Sequence, residues 1–153
     1  MQLFQKRIYF FILLILVMLA INIPSVPAAE TVEGAATETP KPSHYFVATY
    51  FYTTMRCPTC HKIENYSAES IQNNFAEELK NGTLVWRAIN VDEPENKHYI
   101  KDYNLYSKHL IISEFKDGKE ARWKDLPDVW TYVRNEEKFE QYVTSEIKDW
   151  MKE

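Results

Sequence analysis

Tyr45-Phe46-Val47-Ala48-Thr49-Tyr50-Phe51-Tyr52, followed closely by Cys57-Pro58-Thr59-Cys60-His61, is the stretch on which the fold turns. The first run is almost continuously apolar or aromatic, which suits a short strand buried on both faces of a parallel sheet. After Cys57 the period changes. Cys60, Ile63, Ser67, Ile71, Phe75 and Leu79 recur every three or four residues, so they share one helical stripe, with Glu77, Glu78 and Lys80 elsewhere. Asn81-Gly82 then supplies a left-handed stop for that helix.

Beyond this unit, residues 83–91 read as a second strand. Asp92 and Glu95 have capping-box spacing around Pro94, which predicts a short helix to about Tyr103. Residues 110–115 read as a third strand. Asp117-Gly118 is a hairpin turn signal, because both positions tolerate positive φ, and residues 120–124 complete the hairpin. Pro127 and Asn135 bracket a shorter helical piece. Phe139, Val143, Ile147 and Trp150 or Met151 then mark a final amphipathic helix packed on the sheet. The tryptophans Trp86, Trp123, Trp130 and Trp150 and the many tyrosines read as packing.

The chemistry concentrates in Cys57 and Cys60, the chain's two cysteines. Thiols at this spacing interconvert between dithiol and disulfide. Cys57 sits at the helix start, where unpaired N–H groups and the macrodipole favour its thiolate, and Arg56 adds a positive charge beside it. Cys57 is therefore the expected nucleophile and Cys60 the more buried resolving thiol. A purely stabilising disulfide is the plainer reading, but a bond closing so short a loop removes little unfolded-state entropy. Cys57-Pro58-Thr59-Cys60-His61 also fits the pattern for c-type haem attachment, with His61 as iron ligand. Two cysteines alone cannot complete a tetrahedral zinc site. Glu64, one turn past Cys60 and on the face shared with Cys57, is positioned to accept the Cys60 proton.

Residues 1–28 carry Lys6-Arg7, an apolar run over 8–23 and the small-residue segment Val26-Pro27-Ala28, a secretory signal pattern. That run spans only ~24 Å as a helix at ~1.5 Å per residue, less than the ~30 Å hydrocarbon core. Cleavage is thus expected over retention as an N-terminal membrane anchor. Residues 29–43, rich in Glu, Thr, Ala and Pro, read as a disordered linker, and 44–153 as the folded domain. The whole chain has a net charge of −4, and losing Lys6 and Arg7 makes it more acidic. No Lys/Arg cluster is present, which argues against nucleic acid as a partner. Export would place the dithiol in a periplasmic or cell-surface setting where disulfides persist.

The order of elements, with a dithiol between the first strand and helix, resembles the thioredoxin-like superfamily, among it small exported bacterial proteins with a Cys-Pro-Thr-Cys centre. Asn90-Val91-Asp92-Glu93, Tyr103-Asn104-Leu105 and Phe115-Lys116-Asp117-Gly118-Lys119 resemble segments of that family in the same order. The resemblance implies an α/β fold: a thioredoxin-like βαβ-α-ββ-α three-layer sandwich with a mixed four-stranded sheet. It also implies thiol–disulfide exchange through a redox-active disulfide without another cofactor. Its partners would be protein or small-molecule thiols and disulfides, with a membrane-bound electron donor conceivable. The centre departs from the usual one, since Pro58 directly follows Cys57 and Arg56 precedes it. The family's buried aspartate maps onto Phe51 and its lysine neighbour onto Ala88. The family's cis-proline loop, which faces the dithiol, falls at Ser107-Lys108-His109, where there is no proline. The resemblance therefore also places His109 where it could help stabilise the Cys57 thiolate or join Cys57 and Cys60 around a metal.

Overall fold

The computed structural model describes residues 42–153. The expected signal segment, and the linker up to residue 41, lie outside the described residues. The elements are β1 (His44–Tyr52), α1 (Pro58–Asn74), α2 (Ala76–Asn81), β2 (Leu84–Asn90), a 3-10 turn (Pro94–Asn96), α3 (His98–Asp102), β3 (His109–Lys116), β4 (Lys119–Asp125), α4 (Val129–Tyr132) and α5 (Glu136–Lys152). The sheet order is β2-β1-β3-β4. β2 runs parallel to β1, while β3 is antiparallel to both β1 and β4. The crossover from β1 to β2 passes through α1, as a parallel pair requires.

Alternation along β1 divides the interior in two. Phe46, Ala48 and Tyr50 point to a large core with Ile63 and Ile71 of α1, Leu110 and Ile112 of β3, and Phe139, Val143 and Ile147 of α5. Phe51 points to a smaller cluster on the other face, with Val91, Tyr103, Leu105 and Ile111, against which Tyr99 of α3 packs. Both faces of β1 are thus covered, which explains its unbroken apolar run. Three layers result: α1 and α5, the sheet, and α3. Phe139, Val143 and Ile147 are fully buried, and truncating any one to alanine should cost about 2–5 kcal/mol through lost transfer energy and a cavity.

Two turns follow the sequence signals closely. Gly82 ends α2 at φ 77°, and a side chain there would also meet Pro42 Cδ at 3.3 Å. Asp117 and Gly118 adopt φ of 52° and 76° in the β3–β4 hairpin. Two expectations need correction. The helix predicted to run from the dithiol through Leu79 is interrupted at Phe75, whose φ of −135° and ψ of 35° are not helical. Phe75 is drawn into the large core, and the chain restarts as α2 with Leu79 N–H donating to the Phe75 carbonyl at 2.9 Å. The segment 92–103 is not one capped helix but a 3-10 turn and a separate short α3. The Asp92 carboxylate makes no cap there, because it accepts from the Thr54 N–H at 2.8 Å instead.

Candidate active site

The C-terminal end of β1 feeds the loop that carries the dithiol. Asp92, just past β2, holds this loop through the Thr54 N–H, and Asn90 Nδ2 donates to Thr54 Oγ1 at 3.2 Å. Cys57 is the N-cap of α1, with extended φ and ψ of −89° and 162°, and Pro58 occupies the first turn, where a missing N–H costs nothing. The Cys60 N–H donates to Cys57 Sγ at 3.2 Å. A sulfur capping a helix N-terminus is where partial positive charge is concentrated, so negative charge on Cys57 is favoured over negative charge on Cys60.

Cys57 and Cys60 form a disulfide, with Cα atoms 5.2 Å apart. The two sulfurs differ in access: Cys57 is exposed, whereas Cys60 is only 2% exposed, sealed under β1. Pro58, Thr59 and His61 are exposed on the first turn of α1. The Tyr50 hydroxyl reaches across from β1 to donate to the Cys60 carbonyl at 3.0 Å. Burial pushes the Tyr50 phenol up to about 12, against the opposing pull of Arg56.

The Arg56 guanidinium pairs with Glu64 and lies 4.2 Å over the Tyr52 ring. Arg56 and Glu64 therefore meet on the face of α1 that also carries Cys60, clasping the dithiol loop to the helix. The Arg56 Nε is buried without a hydrogen-bond partner. Tyr50 is the residue that sequence reasoning missed. The resemblance places the family's carboxylate position at Phe51, yet Phe51 faces the α3 layer and Tyr50 faces the dithiol. In a strand a one-residue difference reverses the face.

His109 is corrected on the same ground. It pairs with Phe51 across β1 and β3 and shares the face of Ile111, so its ring does not project toward α1. Its Nδ1 lies 3.0 Å from Asp125 Oδ2. Among the described residues no three His, Cys, Asp or Glu side chains gather as a metal site, so Cys57, Cys60 and His109 do not converge. Every peptide bond among the described residues is trans, including those through Ser107-Lys108-His109.

A mixed sheet of order β2-β1-β3-β4, layered between α1 with α5 and α3, with a Cys-x-x-Cys disulfide at the head of α1, is a distinctive arrangement. The fold is thioredoxin-like. No protein-family model and no curated protein matches the chain. Among solved structures it is similar to oxidised thioredoxin O2 from Arabidopsis thaliana, at 18% identity over 61% of this chain and 74% of that one, TM-score 0.39. It is also similar to the thioredoxin of Fasciola hepatica, at 20% identity over 66% and 80%, TM-score 0.37. The thioredoxin-like assignment rests on the strand order, the layers and the dithiol.

Proposed function

We propose that the protein is an extracytoplasmic thiol–disulfide oxidoreductase that exchanges disulfides with protein or small-molecule thiols. The observation that carries this reading is the asymmetry of the pair: Cys57 exposed at the helix cap, Cys60 buried beneath it. In the reducing direction the Cys57 thiolate attacks one sulfur of a substrate disulfide. The substrate S–S bond breaks, a mixed disulfide forms and the released thiolate takes a proton. Cys60 then loses its proton and attacks Cys57 Sγ, expelling the second substrate thiol and closing the disulfide described above. Two electrons pass to the substrate, and the reverse sequence oxidises a dithiol.

Glu64 is the acceptor available for the Cys60 proton, being one helical turn away on the same face, with Arg56 holding its carboxylate in place. The signal pattern of residues 1–28 supports action outside the cytosol, either free after cleavage or anchored beside a membrane-bound electron donor. The acidic charge balance supports partners other than nucleic acid. Trapping tests the reading. In Cys60→Ser the mixed disulfide should accumulate with Cys57, as thiol-sensitive adducts on non-reducing gels of whole cells, and Cys57→Ser should form none. Adducts through Cys60 alone would overturn the assignment of the nucleophile.

A further inference from the structure

We propose that Ser107, His109 and Asp125 form a second reaction centre, in which Ser107 is an acyl-accepting nucleophile for small esters; the proposal does not rest on disulfide exchange. The loop before β3 and the end of β4 enclose a cleft of about 380 Å³, lined by Ser107, Lys108, His109 and Asp125 together with an apolar wall that includes Leu126 and Trp130. A volume in this range suits a small organic ligand.

Within the cleft three side chains stand in series. His109 Nδ1 is 3.0 Å from Asp125 Oδ2, and His109 Nε2 is 3.5 Å from Ser107 Oγ. A carboxylate only accepts, so the proton of a neutral imidazole lies on Nδ1 and the Nε2 lone pair faces the hydroxyl. The imidazole is held in place: it is 7% exposed, and the Tyr106 ring meets it edge-on with centroids 4.7 Å apart. The Trp130 indole N–H donates to the Lys108 carbonyl at 3.0 Å, pinning the loop between the serine and the histidine. Asp125 Oδ1 is buried without a hydrogen-bond partner, so no other donor draws on that oxygen's charge, which remains available to an imidazolium.

The Ser107 contact is longer than the ~2.6–3.2 Å of a working nucleophile–base pair, a looseness common before substrate binds. Ser107 Oγ also donates to the Lys108 carbonyl at a weak 3.3 Å, so rotation of one side chain exchanges these acceptors. In the step proposed, Ser107 Oγ attacks the ester carbonyl carbon as its proton passes to His109 Nε2. The acyl–oxygen bond breaks, and His109 returns the proton to the departing alkoxide. Water then hydrolyses the acyl-serine by the same route. Lys108, lining the cleft, is the cation available to the developing oxyanion, and the apolar wall suits a short aliphatic or aromatic acyl group.

The test uses the full chain carrying Cys57→Ser and Cys60→Ser, because a free thiolate also cleaves activated esters. A fluorophosphonate probe should label Ser107, located by peptide mass spectrometry, and p-nitrophenyl butyrate should turn over about 100-fold faster than with Ser107→Ala added. Asp125→Asn should reduce both readouts by at least about tenfold. Ser107 is exposed, so its alanine variant keeps the fold, and disulfide exchange by Ser107→Ala in the cysteine-containing chain should be unchanged. Absence of an adduct at Ser107, or equal turnover in Ser107→Ala, overturns the proposal.

Discussion

Two carboxylate–arginine pairs sit at opposite ends of β1 and are built on different plans. At the start of the strand Glu114 is almost fully buried, yet three basic side chains meet it: His44 Nε2 and Lys116 Nζ at 2.8 Å each, and Arg122. Arg122 continues to Glu153 at 2.7 Å, lies 3.9 Å over the Trp150 ring and donates to the Trp150 carbonyl. The cluster thereby fastens the end of α5 to the β3–β4 hairpin. At the other end Arg56 has the single carboxylate Glu64 and a flat ring beneath it, with one N–H left unsatisfied. Redundant partners make the Glu114 cluster a structural tie. The sparse Arg56–Glu64 pair leaves charge adjustable beside a reactive disulfide.

Of the two pairs, the Glu114 cluster should have the larger effect on stability when broken. Glu114→Ala removes the shared carboxylate and the hydrogen bonds it accepts, leaving its largely solvated partners in water, and should lower the unfolding free energy by about 2 kcal/mol in denaturant titration. The pH dependence follows from the same cluster. Hydrogen bonds from Lys116, Arg122 and His44 hold the Glu114 carboxyl down to about 2, against an ordinary 4.5. A depressed carboxyl contributes stability that is complete above the unfolded value and is lost as pH falls through the folded one. Stability should therefore fall between about pH 4.5 and 2, and Glu114→Gln should flatten that fall while starting from a lower plateau.

Tyr50 lies between the two plans, since its hydroxyl ties Cys60 to β1. Tyr50→Phe should cost about 1 kcal/mol in the oxidised protein, the net worth of one hydrogen bond. Burial is also the first cause of the elevated values of Tyr50, Tyr103 and Tyr142, each pushed up to about 12 from 10. A raised phenol contributes stability below pH 10 that is lost as pH climbs through 12. Alkaline unfolding should accordingly begin in that window and start later in Tyr50→Phe.

The smallest effect is expected at the reactive end. A double-mutant cycle on Arg56→Met and Glu64→Gln should give a coupling of only about 0.5 kcal/mol, because both side chains are partly solvated. Its functional signature has the opposite sense to a simple loss. Glu64→Gln unmasks the Arg56 charge next to Cys57, so alkylation of the reduced Cys57 at neutral pH should become faster, while resolution of a trapped mixed disulfide slows. If both rates are unchanged, Glu64 serves only as a clasp.

The sequence by itself determined the strands, the hairpin, the final helix and the unequal positions of Cys57 and Cys60. Those features depend on local period and on local geometry: an apolar run buried on both faces, Asp117-Gly118 with positive φ, and a cysteine at a helix cap. The tertiary structure decided which side chains meet the dithiol. The resemblance points to Phe51 and His109, but a strand reverses its face at every residue, and it is Tyr50 whose side chain reaches the dithiol helix. The pairing of β3 with β1 turned His109 toward Asp125, its partner from the next strand. The break at Phe75 has the same origin: its ring is drawn into a core whose wall comes from α5, sixty or more residues away. Period and caps are properties of neighbours in sequence, whereas the company of a side chain is set by strand register and by layers that distant segments supply.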